Sequence, residues 1–273
     1  MSLNNRPHHP NSLLNALPAV ELERLTPHLT PCLFHQNQTL YEKGQEVKRV
    51  YFPKCGAISL VLGDETGMDV EIGMIGREGA LGTIEALACS PLSTRAEVQM
   101  AGSGWYLPAD VLRLEYARNS RLQQVILLSA HSLNQQTSQG VLCNRLHSLE
   151  QRLARWLLMR EDRTNIQSME LTQEFLSHML GARREGVTLA AGVLREAKLI
   201  EYSRGCIKII DRPGLEKRAC ECYNVLRSSL KSLQPPESHN GPHFDHSPHG
   251  SLLNENFPRG TMLAPLTRSG GRF

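Results

Sequence analysis

Arg183, Arg184 and Glu185 stand side by side, with Thr188 one helical turn further on. A guanidinium is a rigid fork of donors that fits two adjacent acceptors, and a carboxylate accepts from an amino group. Carried together on the first turn of a helix, such groups can read base edges in a DNA major groove. Arg184 suits the paired acceptors of guanine, Glu185 suits the amino group of cytosine, and Thr188 suits either bases or backbone. Arg183, Arg204 and Lys208 suit phosphates, where contact fixes register without reading sequence.

That chemistry needs a helix presented outward, and the flanking residues predict one. Thr172 can cap a helix from Gln173 to Leu180, Gly181 sits where a sharp turn needs a left-handed residue, and a second helix is expected from Arg184 to about Ala197. Leu176, Leu180, Ala182, Val187 and Ala190 fall where two steeply crossing helices bury their contact. LIEY, a turn at Ser203-Arg204-Gly205 and CIKII then predict a hairpin, which makes the pattern a winged helix-turn-helix. The charge agrees. Residues 140–232 hold 16 Lys+Arg against 11 Asp+Glu, while residues 1–139 hold 11 against 13, so the basic excess coincides with the motif.

Other chemistries find less support. Seven scattered cysteines in a 273-residue chain are read as free thiols of a reducing compartment, and a cytoplasmic location is expected. Cys220-Glu221-Cys222 is tighter than a Cys-x-x-Cys half-site, and Cys143 with His147 supplies two ligands, so both pairs are read as structural and no metal site is expected. His239, His243, His246 and His249 belong to a Pro/Gly/Ser-rich stretch and are read as incidental. The alternative function is a small-molecule-binding or catalytic β-roll whose helical half is an interaction module. Against it, residues 36–107 contain no histidine, and no nucleophile elbow or phosphate loop is present. An enzyme is therefore not expected.

With 40% hydrophobic residues the chain can bury more than one core, and an α+β organisation is expected. Residues 1–14 and 233–273 are read as a disordered N-terminus and tail. Residues 15–118 read as an antiparallel β-roll, its strands VKRVYFP, AISLVLG, DVEIGMIG, AEVQMAG and GWYLP separated by glycine turns. Residues 119–147 read as one long helix. Its seam through Leu122, Ile126, Ser129, Leu133, Gln136, Gly140 and Cys143 is expected to pair two copies in a homodimer. The 148–232 segment then opens with an amphipathic helix that directs Leu149, Leu153, Trp156, Leu157 and Met159 inward.

This order of parts resembles the Crp/Fnr family of bacterial transcription regulators over roughly residues 15–230. LTQEFLSHMLGARREGVTLAAGVL is similar to the family's DNA-reading segment, with Arg184-Glu185 on its Arg-Glu pair. Arg183 stands where the family commonly has Ser or Thr, and Leu189 stands where it has a further arginine. The resemblance implies a cyclic-nucleotide-binding-like jelly roll, double-stranded DNA and RNA polymerase as partners, and no membrane association. In cyclic-nucleotide-binding members a Gly-Glu-Leu segment and a following Arg-Ser-Ala hold the ligand. Here Gly79-Ala80-Leu81 and Thr94-Arg95-Ala96 replace them, and Ala80 has no acceptor for a ribose hydroxyl. Cyclic AMP is therefore not expected, and Gly79, Leu81 and Arg95 remain as the residues of any retained effector pocket. No cysteine precedes Cys32, so the N-terminal cluster ligands of oxygen-sensing members are missing and no haem or iron–sulfur cofactor is expected.

Overall fold

The computed structural model describes residues 9–65, 69–164, 168–203 and 205–232. The expected disordered tail, its histidines and the wing-tip Arg204 lie outside the described residues.

The N-terminal segment does not stay unpacked to residue 14. Asn11 caps α1 (Ser12–Asn15) by accepting from the Leu13 and Leu14 N–H groups, and its side-chain amide donates to the carbonyls of Pro53 and Gly79, each at 2.9 Å. Leu13, Leu14 and Leu17 join the core of the roll. Burying these leucines offsets the entropy of ordering so short a segment. α2 (Ala19–Leu25) follows.

β1 (Thr30–Phe34), β2 (Thr39–Tyr41), β3 (Arg49–Gly63), β4 (Asp69–Ile75), α3 (Thr83–Ala88) and β5 (Arg95–Pro108) build the roll. The sheet is antiparallel in the order β1-β5-β3-β4, with β2 also on β5. The glycines inside β3 and β5 were expected to end strands, yet both strands run through them. Gly56 takes φ +91 within a register shift, and a Cβ on Gly102 would stand 2.2 Å from the Cys55 carbonyl. The two backbones approach so closely there that glycine serves a bulge rather than a turn.

α4 (Ala109–Tyr116) leads to α5 (Arg121–Leu146). Glu21 of α2 accepts the first N–H groups of α5, from Arg121 at 3.1 Å and Leu122 at 3.0 Å, which satisfies donors that a helix start leaves open. The expected dimer seam faces inward. Leu122, Ile126, Gln136 and Cys143 are buried within the chain, and Gln136 accepts from the Met74 N–H of β4. A 3-4 spacing marks any packed helix face, and here the roll and the C-terminal helix cover it. The face left open carries Leu127, Leu128, Val141, Leu142 and Leu146, with Val141 and Leu146 each about 70% exposed.

α6 (Leu149–Thr164) is followed by β6 (Ser168–Glu170), α7 (Gln173–Leu180), α8 (Arg184–Glu196), β7 (Ile200–Ser203), β8 (Cys206–Ile209), α9 (Arg212–Arg218) and α10 (Cys222–Ser232). Leu153 and Leu157 of α6 share a core with Leu176, Leu180, Val187 and Leu194. Another side of α6 meets the roll. The Trp156 indole N–H donates to Glu71 Oε1 at 3.0 Å, and Arg163 pairs with Glu78 at 2.7 Å. Arg160, expected at the helix margin, is buried beside the Trp156 ring. Burial pushes the Glu71 carboxyl above its ordinary value, against hydrogen bonds from Ser59 and Trp156 and the charges of Arg163 and Arg155. No described helix is long and apolar enough to cross a membrane.

Trp156→Phe keeps most of the packed ring but leaves Glu71 Oε1 without its indole donor. We expect a loss of about 1–3 kcal/mol, read as a lower urea midpoint with unchanged slope; an unchanged midpoint would show that the bond contributes nothing net.

Candidate nucleic-acid interface

The two helices of the turn motif have the expected bounds, and their ends show why. Thr172 Oγ1 accepts from the Phe175 N–H at 3.1 Å, which caps α7. At its other end Gly181 adopts φ 54, and Ala182 N–H returns to the Ser177 carbonyl at 2.9 Å, closing the helix as a Schellman-type turn. A Cβ on Gly181 would also come within 3.1 Å of Val70 on β4. The residue is therefore fixed twice, by backbone angle and by the neighbouring strand.

α8 is two-sided. Val187, Ala190, Ala191 and Leu194 are buried at helical spacing, while Arg184, Glu185, Thr188 and Leu189 are exposed. Arg183 occupies the N-cap position with extended backbone, makes no side-chain cap bond and is exposed next to Arg184. Thr188 Oγ1 donates to the Arg184 carbonyl at 3.0 Å, which leaves its oxygen free to accept. Leu189 is 72% exposed, and a Cβ at Gly192 would touch nothing within 4 Å. Glu185, Leu189 and Gly192 thus form an open stripe, which their i, i+4, i+7 spacing announces.

The hairpin also forms, with an additional strand. β8 pairs with β7 on one side and with β6 on the other, placing Lys208 opposite Glu201 and Ser168. Lys208 is exposed, and Gly205 at the tip takes φ +77. The brief SME run of β6 went unread because three residues carry no resolvable period.

The residues named for an effector pocket have other neighbours within the chain. Leu81 is buried in the roll core, the Gly79 carbonyl accepts from Asn11, and Arg95 holds Asp69 at 2.6 Å and Glu97 at 3.3 Å. The Asp69 hydrogen bond is foremost in raising the Arg95 pKa above its ordinary value. A cavity of about 560 Å³ opens elsewhere, between Gln36, Asn37 and Gln99 of the roll and Glu170, Thr172 and Phe175.

Residues 151–218 match the family model described as a Crp-like helix-turn-helix domain. Among solved structures, the chain is similar to one assigned to the crp/fnr family of transcriptional regulators from Eubacterium rectale. That match has 16% identity and a TM-score of 0.63, covering 78% of this chain and 99% of that one. It is similar to FixK2 from Bradyrhizobium japonicum, at 15% identity and TM-score 0.61 over 70% and 98% of the two chains. It is also similar to the c-di-GMP-responsive regulator CLP of Xanthomonas campestris, at 12% identity and TM-score 0.59 over 70% and 99%. No curated protein sequence matches the chain. At these identities the structures carry the fold, and the family match carries the reading domain. Residues 151–218 are thus a Crp-like helix-turn-helix domain, which marks the chain as a DNA-binding transcription regulator, in a fold that solved crp/fnr-type regulators share.

Proposed function

We propose that this regulator binds a palindromic DNA site as a homodimer, each copy laying the start of α8 in the major groove. The single observation that carries the reading is the exposed row Arg184, Glu185, Thr188 and Leu189 on a helix whose opposite side is fully packed. Arg184 pairs with guanine, Glu185 accepts from cytosine, and Leu189 offers an apolar surface to a thymine methyl. Arg183 and Lys208 grip phosphates, with Arg204 assigned to the same role from the sequence. At the promoter the bound dimer's further partner is RNA polymerase, as the family resemblance implies.

The two copies meet through the outward face of α5, where Leu127, Leu128, Val141, Leu142 and Leu146 lie open. A stripe of that size on a surface helix favours association, and pairing sets the two α8 helices about one DNA turn, roughly 34 Å, apart. The roll is not a cyclic AMP receptor in this reading. Ala80 is buried and has no acceptor, and Arg95 is committed to two carboxylates. The seven cysteines form no disulfide, which fits a cytoplasmic setting.

Selection from random duplexes should enrich a palindrome with wild type. Arg184→Ala should weaken binding to it by about 1–3 kcal/mol and relax one base position, whereas Lys208→Ala should weaken all sequences alike and lower the salt slope by about one. Enrichment of no palindrome would overturn the reading. In sedimentation, Val141→Glu with Leu142→Glu should yield monomers with native circular dichroism; a persistent dimer would place the interface elsewhere. Cyclic AMP and cyclic GMP should leave the melting temperature unmoved, since a true ligand at about 100 times its dissociation constant adds about 2.7 kcal/mol.

A further inference from the structure

Two short ligand pairs, far apart in the chain, meet where α10 packs on α5. Cys143 lies in the last turn of α5 and His147 just beyond it, while Cys220 and Cys222 bracket the entry to α10. One donor atom from each of the four lies within 4.8 Å of all the others. Cys143 Sγ stands 3.5 Å from Cys220 Sγ, and Cys222 Sγ stands 3.4 Å from His147 Nδ1. Around a tetrahedral zinc ion, bonds of about 2.3 Å to sulfur and 2.0–2.1 Å to nitrogen set neighbouring ligand atoms about 3.5–3.8 Å apart. The spacing here is already close to that.

The surroundings have the character of a built site. The three cysteines are 0–3% exposed and form a cluster of their own, separate from the two apolar cores. His147 turns its Nε2 toward Glu221 Oε1 at 3.1 Å, an arrangement in which a carboxylate fixes the ring so that the other nitrogen can ligate. Gln139 Nε2 donates to Cys222 Sγ at 3.1 Å, a bond that favours the thiolate.

We propose that Cys143, His147, Cys220 and Cys222 hold a single structural zinc ion that clamps the C-terminal helix to the end of the long helix. Three thiolates and one imidazole leave no open position, which marks a structural rather than a catalytic centre. A multi-iron cluster would spread its ligands further than these four lie. A Cys143–Cys220 disulfide would leave Cys222, His147 and the Glu221 contact without a role. On binding, the three thiols release their protons to solvent and no redox step occurs. The ion closes a loop that contains α6 to α9, so it anchors the end of the reading domain to the helix at which that domain begins.

The test uses the full chain, purified under reducing conditions without chelator, and does not involve DNA, so it stands or falls apart from the regulator reading. Elemental analysis should give about one zinc per chain. Cys222→Ser and Cys143→Ser should each lose most of it, while Cys55→Ser and Cys89→Ser, whose thiols lie outside the cluster, should retain it. Should the cluster variants fail to fold, wild type supplies the same information. Chelation should lower its melting temperature and expose three further thiols to a thiol reagent, and cobalt should restore them with the spectrum of a tetrahedral thiolate-rich site. Metal-free wild type that takes up no cobalt would overturn the proposal. So would iron with sulfide, or a Cys143–Cys220 disulfide in peptide mass spectra.

Discussion

The joint between Trp156 and Glu71 is the constraint on which the rest of the molecule depends. α6 is the wall shared by two bodies, with Leu153 and Leu157 in the reading domain and Trp156 against β4 of the roll. Charged groups sit in this joint at a cost that only close pairing offsets. Arg163 is 1% exposed at its side chain and reaches Glu78, the Met159 carbonyl and Gln136 of α5. The long helix, the roll and the reading domain therefore share one polar network, and none can shift without leaving a buried partner unsatisfied.

From that joint the reading surface follows. α8 rests on α6 through one apolar face, so among the described residues its other face is open and its leading arginines are exposed. A helix held by a single face keeps a fixed direction and still leaves its outer side chains free for a ligand. The neighbouring strand β8 adds the exposed Lys208.

Local features were legible in the sequence, and assembled ones were not. Thr172, Gly181 and the spacing of Val187, Ala190 and Leu194 determine conformation within a few residues of themselves, so both helices of the motif have the bounds expected of them. Gly56 and Gly102 looked like strand ends because turns and bulges call for the same residue; which one forms depends on the strand alongside. The seam along α5 was a real packed face with the wrong partner assigned, since periodicity reports burial and not what does the burying. The thiol cluster was invisible for a related reason. Cys143 and Cys220 lie 77 residues apart, and only the docking of α10 turns two weak pairs into four converging donors.

Gly181 and Val70 leave so little clearance that even one carbon would crowd the space between the turn and the roll. The pitch of α8 is thus machined against a strand belonging to a different layer of the molecule. A side chain at position 181 would have to push Val70 back by a few tenths of an ångström. The edge strand of the roll thus bounds the space in which the turn before α8 can lie.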